Sequence, residues 1–319
     1  MAAGATIGRR RPAAERPAHS APPRKLAQRI FGEHPTALLF IAPAVIVIIG
    51  LSVVPIVWTV LLSFKSSDLI TPARWIGTAN YHALMHDKEF GESIKHTLVY
   101  TVLFVPISTG LGLLLAMALN RRIRFIGIYR TAILAPFIVS ITAQGVLFSF
   151  IFDQRFGVAN SILAKLGLPT QGFLGDPSQA IYVIALIGIW GGVGFPLVVY
   201  LAALQDVPTE LIDAASVDGA RRGAILRHVI LPQLWPVTIF LLVWQTLQAL
   251  QLFELVYATT RGGPIESTVT IVYYIFHEAF QVFHAGYAAA VAVVVAVALV
   301  LLAGAQLGYN AYHRRRVAA

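Results

Sequence analysis

Six long apolar runs, near 37–64, 96–119, 126–151, 180–204, 234–259 and 286–309, alternate with shorter polar stretches along the chain. Each is long enough to cross a hydrocarbon core, which takes about 20 helical residues. The pattern predicts an all-α integral membrane protein with six transmembrane helices. Pro43 and Pro55 lie inside the first run, where a kink is tolerable because neighbouring helices satisfy the freed carbonyls. That run is about twice the length of a signal-peptide apolar region and leads straight into further spans, so it is expected to be a retained helix.

The polar stretches differ in character. Residues 1–36 are rich in Arg, Pro and Ala and poor in large apolar residues, which predicts a disordered basic tail at the membrane surface. Residues 65–95, 152–179 and 260–285 are modest loops with turn signals such as Gly175-Asp176-Pro177-Ser178 and Arg261-Gly262-Gly263-Pro264. They are too small to form a solute receptor of their own, so a receptor has to come from another chain. Residues 311–319 form a short basic tail.

The segment from Pro208 to Pro232 reads as a short helical hairpin between the fourth and fifth runs. Thr209 is placed to cap a helix that begins at Glu210, and the acids Glu210 and Asp213 suit its positive end. Ala214 and Ala215 let the helix seat closely in a partner's groove. Asp218-Gly219 permits a sharp turn, and a second helix is expected from Ala220, through Arg221, to Leu231 and Pro232. An amphipathic helix lying in the lipid interface would instead carry a basic face opposite bulky anchors. The acids of the first half argue against that reading.

Inside the membrane, Gln245, Gln248, Gln251 and Glu254 recur every third residue along the fifth run. Amides and an acid are costly against lipid, and an intramembrane ionisable group marks a functional site by default. With Trp190, Trp244 and Tyr257 as aromatic platforms, this stripe can meet the hydroxyls of a sugar. Hydrogen bonding to the helices of a partner membrane chain explains it equally well.

Composition and charge narrow the class. The chain is 57% hydrophobic and 12% charged, against about 25% charged in soluble domains. The formal net charge of +9 is unevenly distributed: 17 Lys and Arg fall on the side of the termini and of 205–233, and 7 on the other. By the positive-inside rule both termini and the hairpin are cytoplasmic, and the basic balance is topological rather than a nucleic-acid footprint. There is no cysteine, which excludes disulfides and thiolate chemistry. No lysine follows a glycine, so no phosphate-cradling loop exists and the chain is not an ATPase. The glycines 188, 191, 192 and 194 fall within the fourth run, where small residues serve helix packing. His82 and His86 have metal-ligand spacing but lack a closed ligand set, and no catalytic constellation is evident, so neither a metal nor an enzymatic role is expected.

Asp213-Ala214-Ala215, then Gly219, then Val229 and Leu231-Pro232 resemble the cytoplasmic coupling signature of binding-protein-dependent sugar permeases of ABC importers, in the maltose and glycerol-phosphate group. Trp75-Ile76-Gly77, Asn80-Tyr81, Asp87, Phe90, Asn120-Arg121-Arg122, Arg130, Pro136, Phe156-Gly157, Asn160, Gly262-Gly263-Pro264, Thr268 and Gly286-Tyr287 are similar to flanking stretches of that family, over roughly residues 37–310. The resemblance implies the type I importer permease fold, with the 208–232 hairpin as the ATPase-coupling element. It implies as partners a second homologous permease, two copies of a cytoplasmic ATPase that holds ATP and magnesium, and an extracytoplasmic substrate-binding protein, with no cofactor on this chain. The expected solute is a sugar, a disaccharide such as trehalose; glycerol phosphate and ion-coupled secondary transport are the alternatives. The family usually has Glu where Asp213 stands and Ile where Val229 stands, so Asp213 must sit closer to an ATPase arginine or Glu210 must share that role.

Overall fold

The computed structural model describes residues 35–121 and 124–318. The expected disordered tail falls almost wholly outside them. The chain divides into a unit up to Ile56 and a unit from Val57 onward. The first helix comprises α1 (Pro35–Ile48) and α2 (Val54–Ser63), joined by a π-helical stretch at Ile49–Val53.

A small antiparallel pair follows, β1 (Lys65–Ser66) and β2 (Arg74–Trp75), with Lys65 opposite Trp75. Between them Asp68 Oδ1 accepts the Ile70 and Thr71 amides. Helix α3 (Ala79–Leu84) then leads to α4 (Lys88–Leu119), the axis of the bundle. The expected start near 96 was late. Polar residues 88–95 read as loop, but Asp87 caps the helix by accepting the Glu89 and Phe90 amides, and α4 begins there.

Buried positions on α4 fall at Ser93, Thr97, Tyr100, Phe104, Val105, Ser108, Thr109, Gly112, Ala116 and Leu119, a stripe that repeats every three or four residues and widens at Val105 and Thr109, against neighbouring helices. Its upper half packs on α8 (Ala180–Gly192) through Tyr100, Phe104, Ile184 and Ile187. Its lower half packs on α9 (Gly194–Gln205) and on α12 (Leu231–Leu250) through Ala116, Tyr200, Leu234 and Leu241. Two of the fourth-run glycines lie at these approaches: an added Cβ would come within 2.3 Å of the Tyr100 hydroxyl at Gly188, and within 2.9 Å of Phe104 at Gly192.

The third run is not one straight span. It is α5 (Ile126–Ile138) and α6 (Ile141–Ile151), bent by 96° where Val139 and Ser140 take extended backbone conformations. Beyond α6 come α7 (Val158–Lys165) and, after α9, the hairpin helix α10 (Thr209–Val217). The fifth span also departs from its expected extent. It ends at Leu250, and a new short helix α13 (Glu254–Thr259) packs on α6. Helix α14 (Ile271–Phe280) follows, and α15 (Ala285–Ala318) runs well past the expected end at 309.

The connecting loops join at one end of the bundle, and several of the family-like residues are their fasteners. The Asn80 carboxamide donates to the carbonyls of Ser63 (2.8 Å) and Lys65 (3.0 Å). Tyr81 shares a hydroxyl bond with Ser63, and Trp75 stacks on Phe64. Asp87 accepts from the Tyr274 and Tyr287 hydroxyls, tying α4 to α14 and α15. Asn160 bridges to Gln154 and Gln171, and Thr268 donates to the Gly263 carbonyl.

Candidate functional site

Helix α10 has no buried residue. Glu210, Asp213 and Ala214 are exposed and Ala215 partly so, with the two acids three residues apart on one helical face. At its end Val217 is 88% exposed. Pro208, not Thr209, holds the N-cap position. The extended backbone of Pro208 starts the helix one residue early, so Thr209 is already helical and caps nothing.

The turn at Asp218-Gly219 is sharp for a visible reason. Gly219 has φ +78, the Ala220 amide donates to the Ala215 carbonyl at 2.9 Å, and the Gly219 amide donates to the Ser216 carbonyl at 3.1 Å. This pair of bonds closes a helix end when the residue past the cap is left-handed, the conformation glycine adopts without strain.

The second arm differs from the expected helix ending at Pro232. Arg221 is its N-cap, and helix runs unbroken from Arg222 to Leu250: α11 (Arg222–Ile225), a π turn at Leu226–Ile230, then α12. Pro232 lies in the first turn of α12, where the adjoining wide turn accommodates its missing donor. The hairpin arm and the fifth span are therefore one helix, with Leu231 partly buried and Pro232 exposed. Ile225 on this arm is 8% exposed.

The glutamine stripe separates into two groups. Gln245 is 3% exposed, and its Nε2 donates to Ser108 Oγ on α4 at 2.9 Å. It joins helices within this chain. Gln248, Gln251 and Glu254 are exposed, but Gln251 follows the end of α12 and Glu254 opens α13, so they share a path and not one helix face. The break after Leu250 turns the chain between them.

The aromatic candidates are half exposed and lie in ring clusters. Trp244 packs on Phe195 (5.4 Å) and Phe240 (6.3 Å), and Phe195 in turn meets Phe137. Trp190 receives Phe148 edge-on at 5.0 Å. Tyr257 stacks on Phe253, meets Phe276 edge-on, and has the Arg261 guanidinium over its ring at 6.0 Å. Phe137, Phe195, Phe240, Phe253 and Phe276 complete these clusters, and a phenylalanine in an apolar run carries no signal of its own. Gln144 does carry one, since a lone amide in the third run is as conspicuous as those in the fifth.

Among the described residues no group of three or more His, Asp or Glu is placed to hold a metal ion. His86 Nδ1 lies 3.0 Å from the His82 carbonyl oxygen.

The chain belongs to the family of binding-protein-dependent transport system inner membrane components, whose model matches residues 108–316. It is 32% identical over 277 residues to the sn-glycerol-3-phosphate transport system permease protein UgpA of Agrobacterium fabrum, covering 85% of this chain and 93% of that one. It is also 32% identical over 283 residues to the lactose transport system permease protein LacF of Rhizobium radiobacter, covering 87% and 94%. A chain of a bacterial ABC transporter involved in the import of the acidic polysaccharide alginate shares the fold with a TM-score of 0.79, at 24% identity over 91% of this chain and 99% of that one. The protein is a multi-pass membrane permease with the type I ABC importer fold.

Proposed function

We propose that this permease forms half of the translocation pathway of an ATP-driven sugar importer, with a disaccharide such as trehalose as its solute. The observation that carries this reading is the continuity of one helix from Arg222, at the uncovered hairpin, to Leu250, beside Gln248 and Gln251. Closure of two ATPase subunits on the 208–232 hairpins would tilt that helix and reposition Gln248, Gln251, Glu254, Trp190, Trp244 and Tyr257. A second homologous permease supplies the other half. A substrate-binding protein delivers solute at the end formed by loops 65–87, 152–179 and 260–284, and both termini lie in the cytoplasm. The relatives named for lactose and glycerol phosphate support the solute class.

Glycerol phosphate is the second reading, favoured by the UgpA relative and by the Arg261 guanidinium over Tyr257, which could meet an anionic group. The deciding experiment is uptake by proteoliposomes holding both permeases, the ATPase and the receptor, tested against disaccharides, glycerol phosphates and polyols. ATP-dependent accumulation of a disaccharide is the expected result. Accumulation driven by an ion gradient without ATP, or no ATPase co-purifying with this chain, overturns the reading.

A further inference from the structure

At the 96° break between α5 and α6 the regular helical ladder stops inside the apolar region, where an unpaired carbonyl has no water to turn to. Gln144, on the first turn of α6, reaches back across the break. Its Nε2 donates to the Pro136 carbonyl at 2.9 Å and to the Val139 carbonyl at 2.9 Å, and the residue is 5% exposed. The Val139 amide also donates to the Pro136 carbonyl, at 3.2 Å, so the side-chain amide shares that carbonyl and supplies the bond to the Val139 carbonyl that a straight helix would have made.

The amide is held from the opposite side as well. A Cβ on Gly191 of α8 would lie 2.1 Å from Gln144 Oε1, so any larger residue there has to displace the amide. Two neighbours repeat this closeness: Gly194 faces Phe137, and Gly145 faces Ala258 of α13, where an added Cβ would come within 2.6 and 2.7 Å. Helix α6 carries Phe148, which touches Trp190, and α13 carries Glu254 and Tyr257. The angle at the break therefore bears on α13, which carries Glu254 and Tyr257, and on the Phe148 ring that meets Trp190.

We infer that Gln144 is a positioning residue for transport: its amide fixes the angle between α5 and α6 and, through α6, the placement of Trp190, Glu254 and Tyr257. The inference rests on the proposed solute pathway. Gln144 is buried, and its two bonds go to backbone carbonyls of α5 and of the break, so its role is to hold the angle.

The absence of cysteine makes the test direct. Spin labels at Ile128→Cys on α5 and Phe150→Cys on α6, both well exposed, report the distance across the break in the complete importer in nanodiscs. Gln144→Met keeps the shape and removes the donor; Gly191→Ala keeps the donor and displaces it. Both are expected to shift or broaden the distance distribution and to raise the KM for radiolabelled trehalose, or for the panel solute carried fastest, about tenfold, with little change in maximal ATPase rate. If Gln144→Met fails to assemble, Gly191→Ala carries the test. An unchanged distance in the assembled variants overturns the inference, as does a lowered maximal rate with unchanged KM. The distance is read without solute, so it decides even where the wild type takes up none of the panel, a result that would count against the proposed function instead.

Discussion

Gly286 and Lys65 meet so closely that a Cβ on the glycine would lie 2.0 Å from the Lys65 carbonyl oxygen, while the Gly286 amide donates to the Ser67 carbonyl at 3.2 Å. The start of the last helix is thereby sewn to the β1 strand. Gly286→Ala forces backbone apart at a contact with no flexible side chain to yield. A loss of about 1–3 kcal/mol is expected, seen as a lowered Tm in detergent and faster proteolysis of the 65–75 loop.

At Gly219 the strain is conformational, because nothing lies within 4 Å of an added Cβ. Gly219→Val has to hold φ near +78 at a cost of about 1–2 kcal/mol, and the hairpin is expected to open. Solute-stimulated ATPase activity of the reconstituted complex should fall severalfold. Gly219→Asn, which tolerates the left-handed region, should keep most of it. Normal stimulation in the valine variant would show that the turn does not transmit.

Gln245 and its neighbours should separate by assay. Gln245→Leu and Ser108→Ala are expected to couple in a double-mutant cycle by roughly 0.6 kcal/mol, the usual scale for such bonds in membranes. Gln248→Ala and Glu254→Ala should leave stability alone and reduce uptake about tenfold, or ~1.4 kcal/mol. Unchanged transport kinetics in both would assign the exposed amide and acid to contact with another subunit.

Asp87 gives the loop end a pH dependence. Burial alone would raise its pKa, but the hydrogen bonds from Tyr274 and Tyr287 and from the Phe90 and Glu89 amides outweigh it and hold the carboxyl below its ordinary value. A depressed carboxylate contributes stability that is present above its unfolded pKa, about 3.9, and is lost as pH falls through the folded value. Melting in detergent should be flat in this respect from pH 7 to about 4 and fall below it. Asp87→Asn should lower the neutral-pH stability by about 1 kcal/mol, since the half-exposed charge is screened, and should flatten the acid limb.

Much of the fold could be read from the chain, for reasons that also explain what could not. The first, fourth and last spans are uninterrupted apolar runs, and hydropathy finds them directly. The Gly219 turn is local, and local rules found it. The third span conceals its 96° bend because Val139 and Ser140 do not interrupt the apolar run, and the amide that makes the bend tolerable belongs to Gln144, further along. The fifth run misled through its regularity: a three-residue recurrence continues from Gln245 to Glu254 across a helix end that no proline or glycine marks. The partner that makes Gln245 a packing residue is Ser108, 137 positions away, beyond the reach of any periodicity.

The unbroken helix from Arg222 to Leu250 has a mechanical consequence. Its 29 residues make a rod of about 43 Å at 1.5 Å per residue, packed against the bundle at Leu234 and Leu241. In the proposed lever, a tilt of only about 10° would carry one end roughly 7 Å relative to the other on that length. Such a lever would need no large rearrangement at the hairpin to shift the far end by more than the width of a hydrogen bond; reach would substitute for flexibility.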